Sequence, residues 1–426
     1  MAPLSSRSHD RAQVTTAGAE SRQRLPGFLI VIPWDPEGPG GVREVVRNLL
    51  DQLAIRGDYE PILLVNRWSA RRLEERPWTG KAFNLRLRPP IGGPRPWRTF
   101  AGFLVGAPRT VRDLLSLLRR FDVRVINVHY VEPSTILFGL LRRTGLFRGC
   151  LLLSMHGSDL HTARRSEGGQ STFWKITLRL ADRIVACSDY LRDEIIALDS
   201  RLQERAVTVL NGVQAERLKG AAVEPWGLAE WLGPAKCILS VGKFDPVKGM
   251  DVLLRAFALL VQEAPNVRLV MVGASGGWEV ELRELVLHLG LSDRVAMIKD
   301  VPHEGMGEFY SQAVVFCLPS RREALGLAVL EAGAFGLPVV ATRVGGVTEI
   351  VEHGVTGRLV APEEVSGLAG ELKSLLDDPS ERERLGKALR EKVESEFTWT
   401  RAYSQYKAVI GECSIGGAHP SRRADQ

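Results

Sequence analysis

Short, continuously apolar runs recur along the chain, with longer segments of helical periodicity between them. The first half contains "GFLIVIPW", "PILLVNR", "VRVINVHY", "CLLLSMHGSD", "DRIVACS" and "VTVLNGV". The second half contains "CILSVGK", "VRLVMVG", "RVAMIKD", "VVFCLPS" and "LPVVATRVGG". Apolar runs of this length without alternation mark strands covered on both faces, as in a parallel sheet. Stretches such as "GVREVVRNLLDQLAIRG" and "GMDVLLRAFALLVQEAP" repeat apolar residues at helical spacing and supply the crossovers. The pattern predicts an α/β architecture. "ERLKGAAVEPWGLAEWLGP" interrupts the series with proline, glycine and tryptophan. Two doubly wound domains, facing each other across a cleft, are therefore expected.

The expected division is a disordered tail over 1–25, a first domain over 26–212, a linker over 213–236, a second domain over 237–396 and a disordered tail over 412–426. The 426 residues, 45% hydrophobic and 25% charged, have the composition of a soluble globular protein. Five cysteines, Cys150, Cys187, Cys237, Cys317 and Cys413, lack CxxC spacing. They argue against a disulfide framework or a zinc site and fit a reducing cytoplasm. The first residues lack the apolar core of a signal peptide, and no uncharged apolar run reaches the roughly 18 residues of a membrane span. Neither export nor integral membrane insertion is expected.

Charge does change the picture. Residues 1–212 carry 32 Lys+Arg against 21 Asp+Glu, and residues 213–426 carry 24 against 29. Most of the excess lies between Asp51 and Cys150, with 18 basic and 8 acidic residues. The first half should seek anionic partners.

Ligands of open parallel sheets bind beyond the carboxyl ends of strands. There the chain has "GPGGV", "HGSD", "GKFDPVKG", "PSRREALG" and "RVGGV". In "EALGLAVLE", Glu323 falls in a loop and Glu331 inside an apolar helix that starts near Gly326. The first-turn amides around Leu325, Gly326 and Leu327 form a ready anion site. A diphosphate there would leave Glu331 to a ribose and Glu323 to a sugar. A carboxylate at 331 needs a partner in either case, and a salt bridge to a neighbouring arginine is the other reading. Lys243 and Lys248 follow a buried strand. They either converge on the diphosphate, where negative charge builds as a bond breaks, or stay solvated. Gly40 and Gly41 mark a loop-to-helix junction where backbone can approach a ligand. His156 directly ends an apolar strand; His129 is similarly placed but less crowded. His156 and His161 bracket Asp159 without HExxH or DxD, so no metal site is expected. No cysteine is placed convincingly beside a histidine, which leaves hydrolase chemistry little support.

These motifs together resemble the retaining glycosyltransferases of the GT-B class, in the family called GT4. The resemblance rests on "GGVREVVRNLLDQLAIRG", "HGSDL", "ADRIVACSDYLRDEI", "VLNGV", "SVGKFDPVKGMDVLLRAF", "LPSRREALGLAVLEAGAFGLPVVATRVGGVTEIVEHGVTGRLV" and "FTWTRAYSQY". It implies the GT-B fold, two Rossmann-like domains, with a C-terminal helix near 397–411 crossing back to the first. It implies that Lys243 and Lys248 hold the donor diphosphate, Glu331 the ribose and Glu323 the transferred sugar. Gly41 would meet the diphosphate from the opposite domain, and His156 would stand at the reacting centre. Neither cofactor nor metal is implied. Lys243 stands where arginine is commoner, Leu325 where phenylalanine is frequent and Asp300 where glycine often sits, which blurs the donor's identity.

The expected activity is metal-independent hexosyl transfer, with retention, from a nucleoside diphosphate sugar to an acceptor hydroxyl. Same-face attack and double displacement both remain open. The segment "RPWRTFAGFLVGAPRTVRDLLSLLRR" mixes aromatic residues, leucines and arginines, suiting either an anionic membrane surface or a core helix with a basic outer face. The preferred acceptor is a lipid-linked glycan of a bacterial surface polysaccharide, met in the cytoplasm at the inner membrane face; no nucleic-acid partner is expected. A non-catalytic member of a polysaccharide assembly complex with the same fold is the alternative. A Rossmann dehydrogenase fails on the missing dinucleotide fingerprint. A phosphorylase would need a pyridoxal cofactor for which there is no separate signal.

Overall fold

The computed structural model describes residues 24–37, 40–218 and 226–415. Among them, β1 (Gly27–Ile32), β2 (Glu60–Asn66), β3 (Glu74–Glu75), β4 (Lys81–Leu85), β5 (Val123–His129), β6 (Cys150–Met155), β7 (Arg183–Ala186) and β8 (Ala206–Thr208) form one sheet. Its order is β3-β4-β2-β1-β5-β6-β7-β8. A second sheet contains β9 (Lys236–Val241), β10 (Val267–Gly273), β11 (Val295–Lys299), β12 (Val315–Leu318), β13 (Val339–Thr342) and β14 (Arg358–Val360), in the order β11-β10-β9-β12-β13-β14. Every pairing is parallel except that of β3 with β4. The architecture is thus α/β with two doubly wound sheets. Strand order reverses beside β1 and beside β9, and those switch points open crevices at the strands' carboxyl ends.

Alternation along β1 shows how the first sheet is covered. Leu29 and Val31 face one apolar layer, while Phe28, Ile30 and Ile32 face the other. That second layer is built by helix Gly41–Arg56 and by helix Trp399–Ile415, which contributes Ala402, Tyr403, Tyr406, Val409 and Ile410. The last helix of the described chain therefore packs on the first sheet. Its approach passes Gly212, where a Cβ would lie 2.3 Å from the Trp399 nitrogen. No side chain fits there.

Four features differ from the sequence reading. β3, β4 and β14 carry no long apolar run, and two of them have just two or three residues. Helix Trp399–Ile415 continues four residues into the segment expected as a disordered tail; residues 416–426, like 1–23, lie outside the described residues. Cys150 and Cys413 form a disulfide, with Cα atoms 5.8 Å apart, against the expectation of none. They stand 263 positions apart, and the returning helix alone brings them together. The segment over 213–236 contains helices Ala215–Leu218 and Leu228–Leu232, anchored by the buried Leu218, Leu228 and Leu232, and Lys236 already belongs to β9.

Candidate active site

The two sheets present their carboxyl ends to one another. Helix Gly41–Arg56 starts after Gly40, at φ 145°, and helix Leu327–Ala334 after Gly326, at φ 102°; neither start has a side-chain cap. The starts touch, since a Cβ on Gly41 would stand 3.0 Å from Leu327 Cδ1. First-turn amides have no partner within their own helix, so both ends bring partial positive charge to one place. Leu325, which precedes this junction, is buried.

Beyond β9, Asp245 caps the turn Pro246–Lys248 by accepting from Val247 N at 2.9 Å. The turn delivers Lys248, whose Nζ lies 2.6 Å from Glu323 Oε1. Ser320 Oγ donates to the same carboxylate oxygen at 2.7 Å. Lys243 is exposed and makes no ion pair with a described residue. The structure therefore brings Lys248 and Glu323 together and leaves Lys243 outside their cluster.

Glu331 pairs with no arginine among the described residues, and its side chain keeps 14% of its surface exposed. Tyr310 donates its hydroxyl proton to Glu331 Oε2 at 2.6 Å, with its own ring buried and stacked on Phe335. His303 bridges the cleft, with Nδ1 3.9 Å from Glu331 Oε1 and Nε2 3.6 Å from Glu44 Oε2. Burial raises the Glu331 carboxyl above its ordinary range; His303 and the Tyr310 hydroxyl pull it back, and Glu44 adds to the rise.

On the opposite wall, Asp159 organises the loop that carries His156. Its carboxylate accepts from the backbone N–H groups of His156 (3.0 Å), Gly157 (2.9 Å), Leu160 (2.9 Å) and Val131 (3.1 Å). Burial pushes its carboxyl up to about 6 against the pull of those four donors. Burial also lowers the His156 imidazole to about 4, so it is neutral at physiological pH. A Cβ on Gly157 would lie 2.8 Å from Ala324 Cβ, so the His156 loop touches the loop of Glu323. The domains are latched around this contact. Ser188 Oγ donates to Ala324 O at 2.5 Å, Arg322 reaches His161 at 2.6 Å, and Glu349 accepts from the N–H groups of Asp189 and Tyr190.

The family described as glycosyl transferases group 1 matches residues 231–392, and that described as glycosyltransferase family 4 matches residues 39–217. D-inositol 3-phosphate glycosyltransferase 1 of Catenulispora acidiphila is 32% identical over 315 residues, 70% of this chain and 74% of that protein. The chain is a group 1 glycosyltransferase of family 4 by membership. Against the D-inositol 3-phosphate glycosyltransferase of Kribbella flavida it is 35% identical over 231 residues, 51% of this chain and about half (54%) of that protein's length. Anabaena HepE, solved in complex with UDP and glucose, superposes with a TM-score of 0.71 at 17% identity, covering 91% of this chain and 100% of that one. The fold is GT-B.

In this family 4 chain the matched regions contain both walls of the cleft: Gly41, Glu44 and His156 on one side, His303, Tyr310, Glu323 and Glu331 on the other. Glu44, His303, Tyr310, Ser188 and Glu349 escaped the sequence reading. None sits in a glycine-rich strand end, and each acquires its role from a residue remote in the chain.

Proposed function

We propose that this glycosyltransferase moves a sugar, with retention and without a metal, from a nucleoside diphosphate sugar to an acceptor hydroxyl. The observation that carries the reading is the pairing of Lys248 with Glu323 beside two uncapped helix starts, Gly41 and Leu327. As the bond from the anomeric carbon to the diphosphate oxygen breaks, negative charge grows on the diphosphate. Lys248 and the first-turn amides stabilise it, which removes the need for a divalent cation. Lys243, exposed nearby, is free to turn onto the same group. Glu331, held by Tyr310, accepts from the ribose hydroxyls, and Glu323 accepts from the transferred sugar. Retention is what family membership implies. In a same-face path the acceptor oxygen bonds to the anomeric carbon and its proton passes to the departing phosphate oxygen.

Thermal unfolding against UDP-, GDP- and ADP-sugars, with and without EDTA, tests the donor site. A ligand that binds the folded form alone stabilises it by RT ln(1 + [L]/Kd), about 2.7 kcal/mol at a hundredfold excess over Kd. One nucleotide class should raise Tm, equally in EDTA, and lose that effect in Glu331→Ala. No shift with any of them at millimolar concentration refutes the donor assignment and favours a non-catalytic component of an assembly complex.

The acceptor side belongs to the first domain, and a lipid-linked glycan of a bacterial surface polysaccharide suits it. Helix Pro96–Arg120 buries Leu114, Leu117 and Leu118 near its end. Its beginning exposes Trp97 (66%), Phe100 (50%), Leu104 (53%) and Val105 (84%). Arg98, Arg109 and Arg112 stand exposed on the same helix without an ion pair to a described residue. Four large apolar side chains with flanking cations support an interfacial helix on the inner, anionic membrane face over a core helix. No helix among the described residues is long and apolar enough to cross the membrane. A cavity at the helix start, lined by Ile91, Pro96, Arg165, Glu167 and Gln170, offers the acceptor polar contacts.

Replacing Arg98, Arg109 and Arg112 together by glutamine removes about 1 kcal/mol of attraction per residue. Sedimentation with phosphatidylglycerol vesicles should then weaken roughly a hundredfold. Unchanged vesicle binding rules the membrane contact out.

A further inference from the structure

We propose that His129 fixes the tautomer of His156, so that His156 offers the cleft a hydrogen-bond donor, Nδ1–H, and is not a general base. His129 ends β5, and His156 follows the neighbouring strand β6, two residues beyond Ser154, the register partner of His129. The two rings are stacked, with centroids 5.3 Å apart and planes 24° apart. His129 Nδ1 lies 3.1 Å from His156 Nε2. One of these nitrogens carries the shared proton and the other accepts it.

The rest of His129 decides which. Its other nitrogen, Nε2, is buried and meets no hydrogen-bond partner among the described residues. A buried N–H without a partner is rarer in folded proteins than a buried lone pair without one. The proton of neutral His129 therefore sits on Nδ1, where it makes the bond, and the orphan Nε2 keeps a lone pair. His156 Nε2 must accept. A neutral imidazole has one proton, so that of His156 is on Nδ1. Burial holds both rings neutral, and His156 further opposes a charge on His129.

The further groups on this side of β5 and β6 are uncharged and bonded among themselves. Ser154 Oγ donates to Asn127 Oδ1 at 2.8 Å and stands 3.4 Å from the Tyr406 hydroxyl. None supplies an ion that would override the choice.

The consequence is chemical. The lone pair with which an imidazole removes a proton is already occupied by His129, so the acceptor hydroxyl does not lose its proton to His156. The Nδ1–H group, which bonds to no described side chain, is left to hold an oxygen of the bound sugar. His129 is a positioning residue. The role of the tautomer rests on the reading of His156 as a group at the reacting centre; the tautomer itself does not.

Long-range 1H–15N correlation on protein labelled at histidine nitrogen reads the tautomer directly, with His156→Gln assigning the signal. His156 should show a protonated Nδ1 and an unprotonated Nε2. His129→Asn, whose amide nitrogen can overlay the His129 Nδ1 donor, should keep that pattern, and His129→Leu should lose it. Turnover of the donor identified by thermal shift should fall about tenfold in His129→Leu, with donor KM unchanged, and recover in His129→Asn. A protonated Nε2 on wild-type His156 overturns the proposal, as does an unaltered spectrum in His129→Leu. Should that variant not fold, the wild-type and His129→Asn spectra decide. Failure of the proposed function would look different: no transfer by any variant, with the tautomer pattern intact.

Discussion

Replacing Lys248 by alanine lowers turnover at least about tenfold, towards the roughly hundred- to thousandfold that removing a group meeting charge developing in the transition state costs. The ammonium lies 2.6 Å from Glu323 in a cleft where both side chains are largely shielded from water. Charges interact more strongly there than in bulk solvent. Glu323→Gln should cost a similar factor. Because the two side chains touch, the double variant should lose less than the product of the two single losses, which a double-mutant cycle measures. Truncating Lys248 leaves Glu323 with Ser320 as its remaining hydrogen-bond partner, so thermal stability is recorded alongside. Wild-type turnover in either single variant would falsify the catalytic assignment.

Asp159→Ala is the substitution expected to cost most in stability, because it strips four backbone N–H groups of their acceptor. An orphaned donor costs about 1–3 kcal/mol, and with partial relaxation the total should be about 4 kcal/mol. Thermal melting should fall by about 10 °C. The loss should grow with acidity. The folded carboxyl titrates at about 6, above its ordinary value of 3.8, so the stability linked to its proton is complete below 3.8 and is lost as pH rises through 6. Wild type should therefore exceed the variant by more at pH 4.5 than at pH 7.5. His156 pulls the other way in both proteins. Its folded value of about 4 lies below 6.5, so stability falls as pH drops through that window. Melting curves that stay parallel across pH 4.5–7.5 would refute the account of Asp159.

Much of the site was legible because its residues sit in punctuated strand ends. Lys248, Glu323 and Glu331 stand beside glycine turns or inside an apolar run where a charge is conspicuous, and His156 breaks off β6 abruptly. Lys243 was legible as a basic residue in the right loop, but its neighbour Phe244 turns inward to the core while Lys243 itself stays out. Glu44, His303 and Tyr310 left no comparable mark. Each looks like an ordinary helix or loop residue until Tyr310 and Glu331, or Glu44 and His303, are set within reach of one another.

What the sequence by itself determined was the material of the two sheets. Eleven of the strands fall within apolar runs of the sequence, nine of them mostly buried and the edge strands β8 and β11 partly exposed, and the segments between them have helical period. Short strands such as β3 and β14 lie below that threshold, because two or three residues give no period to read. The tertiary structure decided the pairings. It joined Cys150 to Cys413, set Tyr406 behind Ser154, placed His129 against His156 and brought Glu349 onto the helix at Asp189. The physical reason is the range of the interactions. Burial and helical periodicity are local properties of a segment, whereas a hydrogen bond across a cleft depends on where two distant segments come to rest.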